Sequence, residues 1–421
     1  MVDYRPIPDQ REVFHEYRSY AFRPDEGRPA YDPGEHDTPR ALRGARRGLY
    51  AAEDDADDDP RCVCRHYWLE AGVRGDRHPT AGLASVATPP EYRRSGYVGQ
   101  LLAHSLEEYR DRGCRFSVLW PFKYRFYRQY GWETSNRIAT HECDPSVLAF
   151  ATDAFDRESG SFRRLEPDDY AALKPVYTAH ADRHALALER DEEWWRHRVF
   201  GGHGVDPFVA AYERDGRVRG YLVYTIDDDA SRTMAGEELP RTMAVSELAF
   251  VDHEAFLALL SFCHTHDSQV QRVRFRAPPD GPLLESARDP DEIETTLETG
   301  PMVRLVDVAD TLSALSYPGS DASVTIAVED PVADWNDGTF ALEVADGNGT
   351  CERLHDDPAA ASVTADVDVR IDIAALSRLV VGSQSASALE RTGRLEALDT
   401  DAVATLEALF PATSVYLGEF F

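Results

Sequence analysis

Lysine is almost missing from this sequence. Of 45 basic residues only Lys123 and Lys174 are lysine, and they face 75 Asp and Glu, for a formal charge of −30. A chain so short of positive charge repels nucleic acid and anionic membranes, which excludes both as partners. The acidic excess is spread along the chain, with a local peak at residues 53–59. That distribution is expected of a protein adapted to concentrated salt, where the Debye length falls to about 3 Å. Long apolar runs are also missing: none approaches the roughly 18 residues needed to cross a membrane, and no signal-peptide pattern opens the chain. A cytoplasmic protein is expected. The six cysteines form no C-x-x-C pair and no zinc spacing, so neither a metal site nor disulfides are expected. Cys62 and Cys64 lie two apart on an expected strand and read as apolar fillers.

What is present suffices for sizeable cores. Apolar residues make up 43% of 421 residues, enough for two or three domains. The chain is organised around residues 81–132. This stretch reads as a strand, a basic glycine-bearing turn, an amphipathic helix with Leu101, Leu102, Leu106 and Tyr109 on one face, a second strand, and a short aromatic helix. The turn Arg93-Arg94-Ser95-Gly96-Tyr97-Val98-Gly99 falls where the strand gives way to the helix. First-turn N–H groups there lack partners and the helix dipole favours an anion, so the turn suits a phosphate.

Residues 9–22 read as a first helix, with strands at 48–52, 62–73 and 81–88 and an ambiguous strand or loop from Trp132 to about 148. From Ser161 the order repeats: a helix at 168–185, a hairpin about Asp215-Gly216, a strand at 244–251, a helix at 253–266 and a strand at 270–277. In this second copy the turn is Val251-Asp252-His253-Glu254, which lacks glycine and carries two carboxylates that would repel a pyrophosphate. From about Met302 a third unit is expected, with strands at 302–308, 323–328, 338–344, 350–353 and 363–366 and helices at 310–316, 373–381 and 400–410. The expected domains are residues 1–157, 158–300 and 301–421, in an α/β class with mixed (α+β) sheets.

Residues 93–99 and the segment Phe126-Tyr127-Arg128-Gln129-Tyr130-Gly131-Trp132 resemble the pyrophosphate loop and the F-Y-x-x-x-G-F segment of GNAT N-acetyltransferases. Val98 departs from the glycine or alanine of many members. The Trp194-Trp195 pair, the 303–308 strand and the Phe420-Phe421 end further resemble the Eis (enhanced intracellular survival) branch. That branch combines a GNAT domain, a degenerate GNAT-like domain and a sterol-carrier-protein-like C-terminal domain. By this resemblance, backbone groups of Val86, Ala87 and Thr88 meet the pantetheine arm of acetyl-CoA, and Arg94, Ser95, Gly96, Tyr97, Val98 and Gly99 cradle its pyrophosphate. Phe122 and Lys123 touch the cofactor again, Tyr127 is the general acid, and the free carboxylate of Phe421 accepts the proton. The resemblance also implies a homo-oligomer, a hexamer built from trimers. Aminoglycoside-modifying members carry an acidic residue near the position of Phe22, which speaks against aminoglycosides here.

Acetyl transfer requires that the amine lose a proton, the developing oxyanion find donors and the departing thiolate be protonated. A phenol, with an unperturbed pKa near 10, stays protonated at neutral pH and can serve the last step. Against this stands the reading of Tyr124, Tyr127 and Tyr130 as an aromatic core stripe, and of Phe420 and Phe421 as a plug. For the acceptor, a primary amine of a small molecule or a lysine, Phe14, Tyr17, Tyr20 and Phe22 are expected to form one wall, with Glu419 near the tail. Two other classes compete: a lipid carrier using the third unit, and a scaffold with a dead transferase site.

Overall fold

The computed structural model describes residues 2–7, 10–27, 29–55, 58–154, 160–202, 204–228, 241–319, 321–355 and 367–421. In chain order the strands and main helices are β1 (Val2–Pro6), α1 (Arg11–Phe22), β2 (Ala45–Ala51), β3 (Cys62–Val73), β4 (Asp76–Ala87), α2 (Tyr97–Asp111), β5 (Phe116–Leu119), α3 (Tyr124–Arg128), β6 (Glu133–Thr134) and β7 (Arg137–Cys143). There follow β8 (Ser161–Leu165), α4 (Tyr170–Ala181), β9 (Phe208–Arg214), β10 (Arg217–Asp228), β11 (Arg241–Phe250), α5 (His253–His264), β12 (Arg272–Ala277) and β13 (Glu294–Thr299). The last part holds β14 (Met302–Leu305), β15 (Ala322–Glu329), β16 (Gly338–Ala345), β17 (Asn348–His355), β18 (Val369–Asp372), α6 (Ile373–Val381), β19 (Leu395–Ala397) and α7 (Ala402–Leu409). They build two compact units, one from residues 1–136 with 301–421 and one from residues 137–300.

The first unit contains a seven-stranded sheet in the order β1-β2-β3-β4-β5-β14-β6. β4 and β5 are parallel, as a helical crossover through α2 requires. Their pairing runs from Thr80–Phe116 to Leu83–Leu119 and stops there, although β4 continues to Ala87. The strands therefore splay. Alternation on β3 sorts the two faces. Cys62 and Cys64 join Leu101, Leu102, Leu106 and Tyr109 of α2 in one core, while Val63 joins Phe14 of α1 in another. The same unit holds a five-stranded sheet, β17-β16-β15-β18-β19, over which α6 is buried along nearly its whole length. The strand expected at 363–366 lies outside the described residues; the parallel partner of β15 is β18.

Two strands pair where their chain position does not suggest. Of the strand expected at 302–308 only Met302–Leu305 is paired as a strand, and it pairs with β5 and β6 in the first sheet instead of the C-terminal one. β7, which follows β6 directly, pairs with β12 and β13 in the second unit. A short buried strand shows its period but carries no local mark of its partner, which is why sequence order misassigns both.

The second unit is a seven-stranded sheet, β13-β7-β12-β11-β10-β9-β8, with β11 and β12 parallel and joined through α5. It repeats the strand–helix–strand order of the first. All six cysteines are free and buried, and Cys64 Sγ lies 3.0 Å from His66 Nε2.

Candidate active site

The splay is shaped by a β-bulge. Val63 pairs with Ala87 and Arg65 with Ala84, so Ser85 and Val86 together oppose Cys64. Ser85 takes φ +52°, outside the extended range. Such a bulge frees a backbone group from the ladder and bends the strand. Here it sits at the end of β4 that has already left β5.

Thr88 leads from β4 through a Pro-rich turn to the N-terminus of α2. Arg93 donates Nε–H to the Thr88 carbonyl at 3.0 Å, pinning the turn to the strand end. Arg94 (φ +60°) and Gly96 (φ +80°, ψ −1°) are left-handed, and Gly96 is the N-cap of α2 with no side-chain cap. A Cβ at position 96 would meet nothing within 4 Å, so glycine is needed there for its backbone, with open space beside it. Arg94 is exposed, and no cap side chain among the described residues accepts from the first turn of α2. Tyr97 and Val98 turn toward the α2 core. Gly99 lies under Tyr130, whose hydroxyl would be 3.0 Å from an added Cβ.

The corresponding turn of the second unit is closed. Asp252 is the N-cap of α5 and accepts the Ala255 N–H at 2.9 Å, Arg219 pairs with Asp252, and Arg214 pairs with Glu254. The place an anion would take is occupied by the chain's own neutralised carboxylate.

Tyr127, on α3, is 4% exposed and packs edge-on against Phe126 and Trp132 within the α2 core. Its hydroxyl has no hydrogen-bond partner among the described residues. Burial, and then the neighbouring Cys64, pushes the phenol well above its usual range. The residue it senses, Cys64, is the one opposite the bulge. α3 itself is held from both sides: Tyr124 donates to Glu133 at 2.5 Å, Arg128 pairs with Glu133 at 2.8 Å and with Asp372 at 3.1 Å, and Arg304 donates to the Tyr130 carbonyl at 2.6 Å. Phe122 and Lys123, just before α3, are exposed.

The C-terminal tail reaches the mouth of the splay. Leu417 N–H donates to Asn136 Oδ1 at 3.2 Å, and the Trp120 indole N–H donates to the Glu419 carbonyl at 2.7 Å. The Phe421 ring meets Tyr67 edge-on at 5.5 Å and covers Gly82 on β4. Trp120 follows β5 directly and Gly82 lies one residue before the last β4–β5 pair, so the chain's end stands where those strands part. Sequence reasoning missed the anchors Asn136 and Trp120. It also missed Arg18 and Arg65, which stand on the α1 face beside Tyr67. Of the expected aromatic wall, Phe14 is core, Tyr17 donates to the Pro60 carbonyl at 3.0 Å, and Tyr20 and Phe22 are exposed.

The fold is that of solved acyltransferases. A probable N-acyltransferase from Enterococcus faecalis matches over the whole of both chains with a TM-score of 0.84 at 21% identity, and Eis1 from Mycobacterium abscessus does so with 0.75 at 23%. The family description "Acetyltransferase (GNAT) domain" matches residues 9–135 and again 186–305, and "Sterol carrier protein domain" matches residues 308–418. Two GNAT units define the class: the chain is a GNAT acetyltransferase. An N-acetyltransferase of Streptomyces griseus is 28% identical over 373 residues, covering 83% of this chain and 84% of that protein. N-acetyltransferase Eis of Mycobacterium tuberculosis is 26% identical over 341 residues, covering 79% and 78%. Within the class the chain belongs to the Eis-type N-acetyltransferases.

Proposed function

We propose that this N-acetyltransferase acetylates a primary amine in a ternary complex with acetyl-CoA, using Tyr127 as general acid and the Phe421 carboxylate as proton acceptor. The observation that carries this is a contrast: the N-terminus of α2 is left uncapped beside Arg94 and Gly96, whereas that of α5 is filled by Asp252. Acetyl-CoA supplies the activated thioester. Backbone groups of Val86, Ala87 and Thr88 hold its pantetheine arm and polarise the carbonyl. Arg94, Ser95, Gly96, Tyr97, Val98 and Gly99 hold the pyrophosphate, and Phe122 and Lys123 flank it. Phe421 takes the amine proton, directly or through water, and Tyr127 gives its proton to the departing thiolate. Burial keeps the phenol protonated across the working pH range, so a proton is in place for the thiolate.

Calorimetry in molar potassium chloride tests the reading. Acetyl-CoA should bind at micromolar concentration and Gly96→Glu, which places a carboxylate at the anion turn, should abolish binding. An absence of binding by the unaltered protein would favour a scaffold. The same reading makes the protein a cytoplasmic homo-oligomer, checked by light scattering. It also makes the protein salt-adapted, so equal stability at low and molar salt would contradict that part.

A further inference from the structure

In a chain with this surplus of acid, buried arginines should be paired. Two beside the tail are not. Arg65, on β3, is 4% exposed; one of its terminal N–H groups donates to the Tyr67 hydroxyl at 3.2 Å, and its Nε has no partner. Arg18, on α1, is half-buried and forms no hydrogen bond or ion pair among the described residues. Burial first, then repulsion from Arg65 and Arg23, holds the Arg18 guanidinium below its ordinary value. Arg46 adds a third charge: it and Arg65 hold their guanidinium carbons 5.3 and 5.1 Å from the Phe14 ring centroid. Two nearby acids are already engaged. Asp37, which faces Arg46, accepts from Arg11 and from the Tyr31 hydroxyl, both at 2.9 Å, and Glu26 pairs with Arg23 at 3.6 Å.

Cation–π contact offsets only part of the cost of burying like charges together. The cluster is one ring away from the end of the chain, because Arg65 donates to Tyr67 and Tyr67 packs on Phe421. Neither Arg18 nor Arg65 pairs with the terminal carboxylate.

The geometry points to an acceptor amine that also carries an anionic group, a carboxylate or a phosphate, seated on Arg18 and Arg65 on the α1 face while its amine meets the Phe421 carboxylate. This rests on the acetyl-transfer reading above and narrows the expected primary-amine acceptor. An incoming anion would gain charge-assisted, forked hydrogen bonds from guanidinium groups otherwise left unmatched. A diamine would bring a second positive charge against them.

Matched pairs of amines test it, with thiol release from acetyl-CoA followed in molar potassium chloride: ornithine against putrescine, and phosphoethanolamine against ethanolamine. The anionic member of at least one pair should have the higher kcat/KM, by about 10-fold or more. Which pair shows the larger ratio identifies carboxylate or phosphate. Arg18→Gln should raise KM for the anionic member and lower it for putrescine, while Arg18→Lys keeps part of the preference. Putrescine outrunning ornithine with ethanolamine outrunning phosphoethanolamine, or an Arg18→Gln effect equal on both members of each pair, overturns the proposal. Loss of the acetyl-transfer reading itself would look different, since then calorimetry would detect no acetyl-CoA binding.

Discussion

Phe421 covers Gly82: a Cβ at position 82 would stand 2.8 Å from the Phe421 ring and 3.0 Å from Leu69 Cδ1. The last residue of the chain is thus seated on the one strand position without a side chain at the mouth of the splay. Gly82→Ala should push the ring, and with it the terminal carboxylate, out of place. A displacement of about 1 Å can cost roughly 100-fold in rate. The expected outcome is a kcat reduced at least ~10-fold with the acetyl-CoA dissociation constant unchanged, read by steady-state kinetics beside calorimetry.

Tyr127→Phe removes a hydroxyl that has no partner among the described residues and leaves the edge-on ring contacts with Phe126 and Trp132 in place. Thermal stability should hardly change. If the phenol protonates the leaving thiolate, kcat should fall by about 10²–10⁴. A variant that turns over normally would return Tyr127 to the role of a core aromatic.

Asp252 closes the second unit's turn for structural reasons. Asp252→Ala removes an N-cap and should cost about 1 kcal/mol of stability, visible as a lower unfolding midpoint. It should not alter acetyl-CoA stoichiometry, which stays at one per chain. A second bound equivalent in this variant would show that capping alone had closed the second site.

Glu108 ties α2 to β2. Burial alone would raise its carboxyl, but hydrogen bonds from Arg47 and Tyr4 and the nearby His66 and Arg47 bring it down to about 2. A depressed folded value contributes stability that is complete above the unfolded pKa near 4.5 and is lost as pH falls toward 2. Glu108→Gln should therefore lower stability at neutral pH, by about 2 kcal/mol. The gap from the unaltered protein should close between about pH 4.5 and 2. Urea unfolding across that range in fixed salt checks it.

The secondary-structure elements around the proposed site could be read from residues alone, and the reasons they could be are local. Gly96 marked a turn because it stands between a strand and an amphipathic helix, and its left-handed φ was added by the structure, while Asp252 and Glu254 marked by charge a turn unsuited to a pyrophosphate. Tyr127 lay in a spaced aromatic segment whose helix the structure retains. What sequence could not supply were partners distant along the chain. Met302–Leu305 completes the first sheet across 166 residues from Asn136, as the Ser135 N–H bond to the Pro301 carbonyl marks. Nothing in a four-residue buried strand names that partner. Arg65 was overlooked because a single charge in an apolar strand can face either way. Only the register, with Val63 and Tyr67 on the α1 face, shows that it is buried and unmatched.

The central claim is that the chain's own terminal carboxylate serves as the base at the splay. Extending the protein by two residues past Phe421 moves that carboxylate while leaving every side chain in place. Turnover of the extended protein, measured in molar potassium chloride beside its acetyl-CoA dissociation constant, is the direct test. The account predicts turnover reduced by about 10²-fold or more with acetyl-CoA binding intact. Unchanged turnover would contradict it.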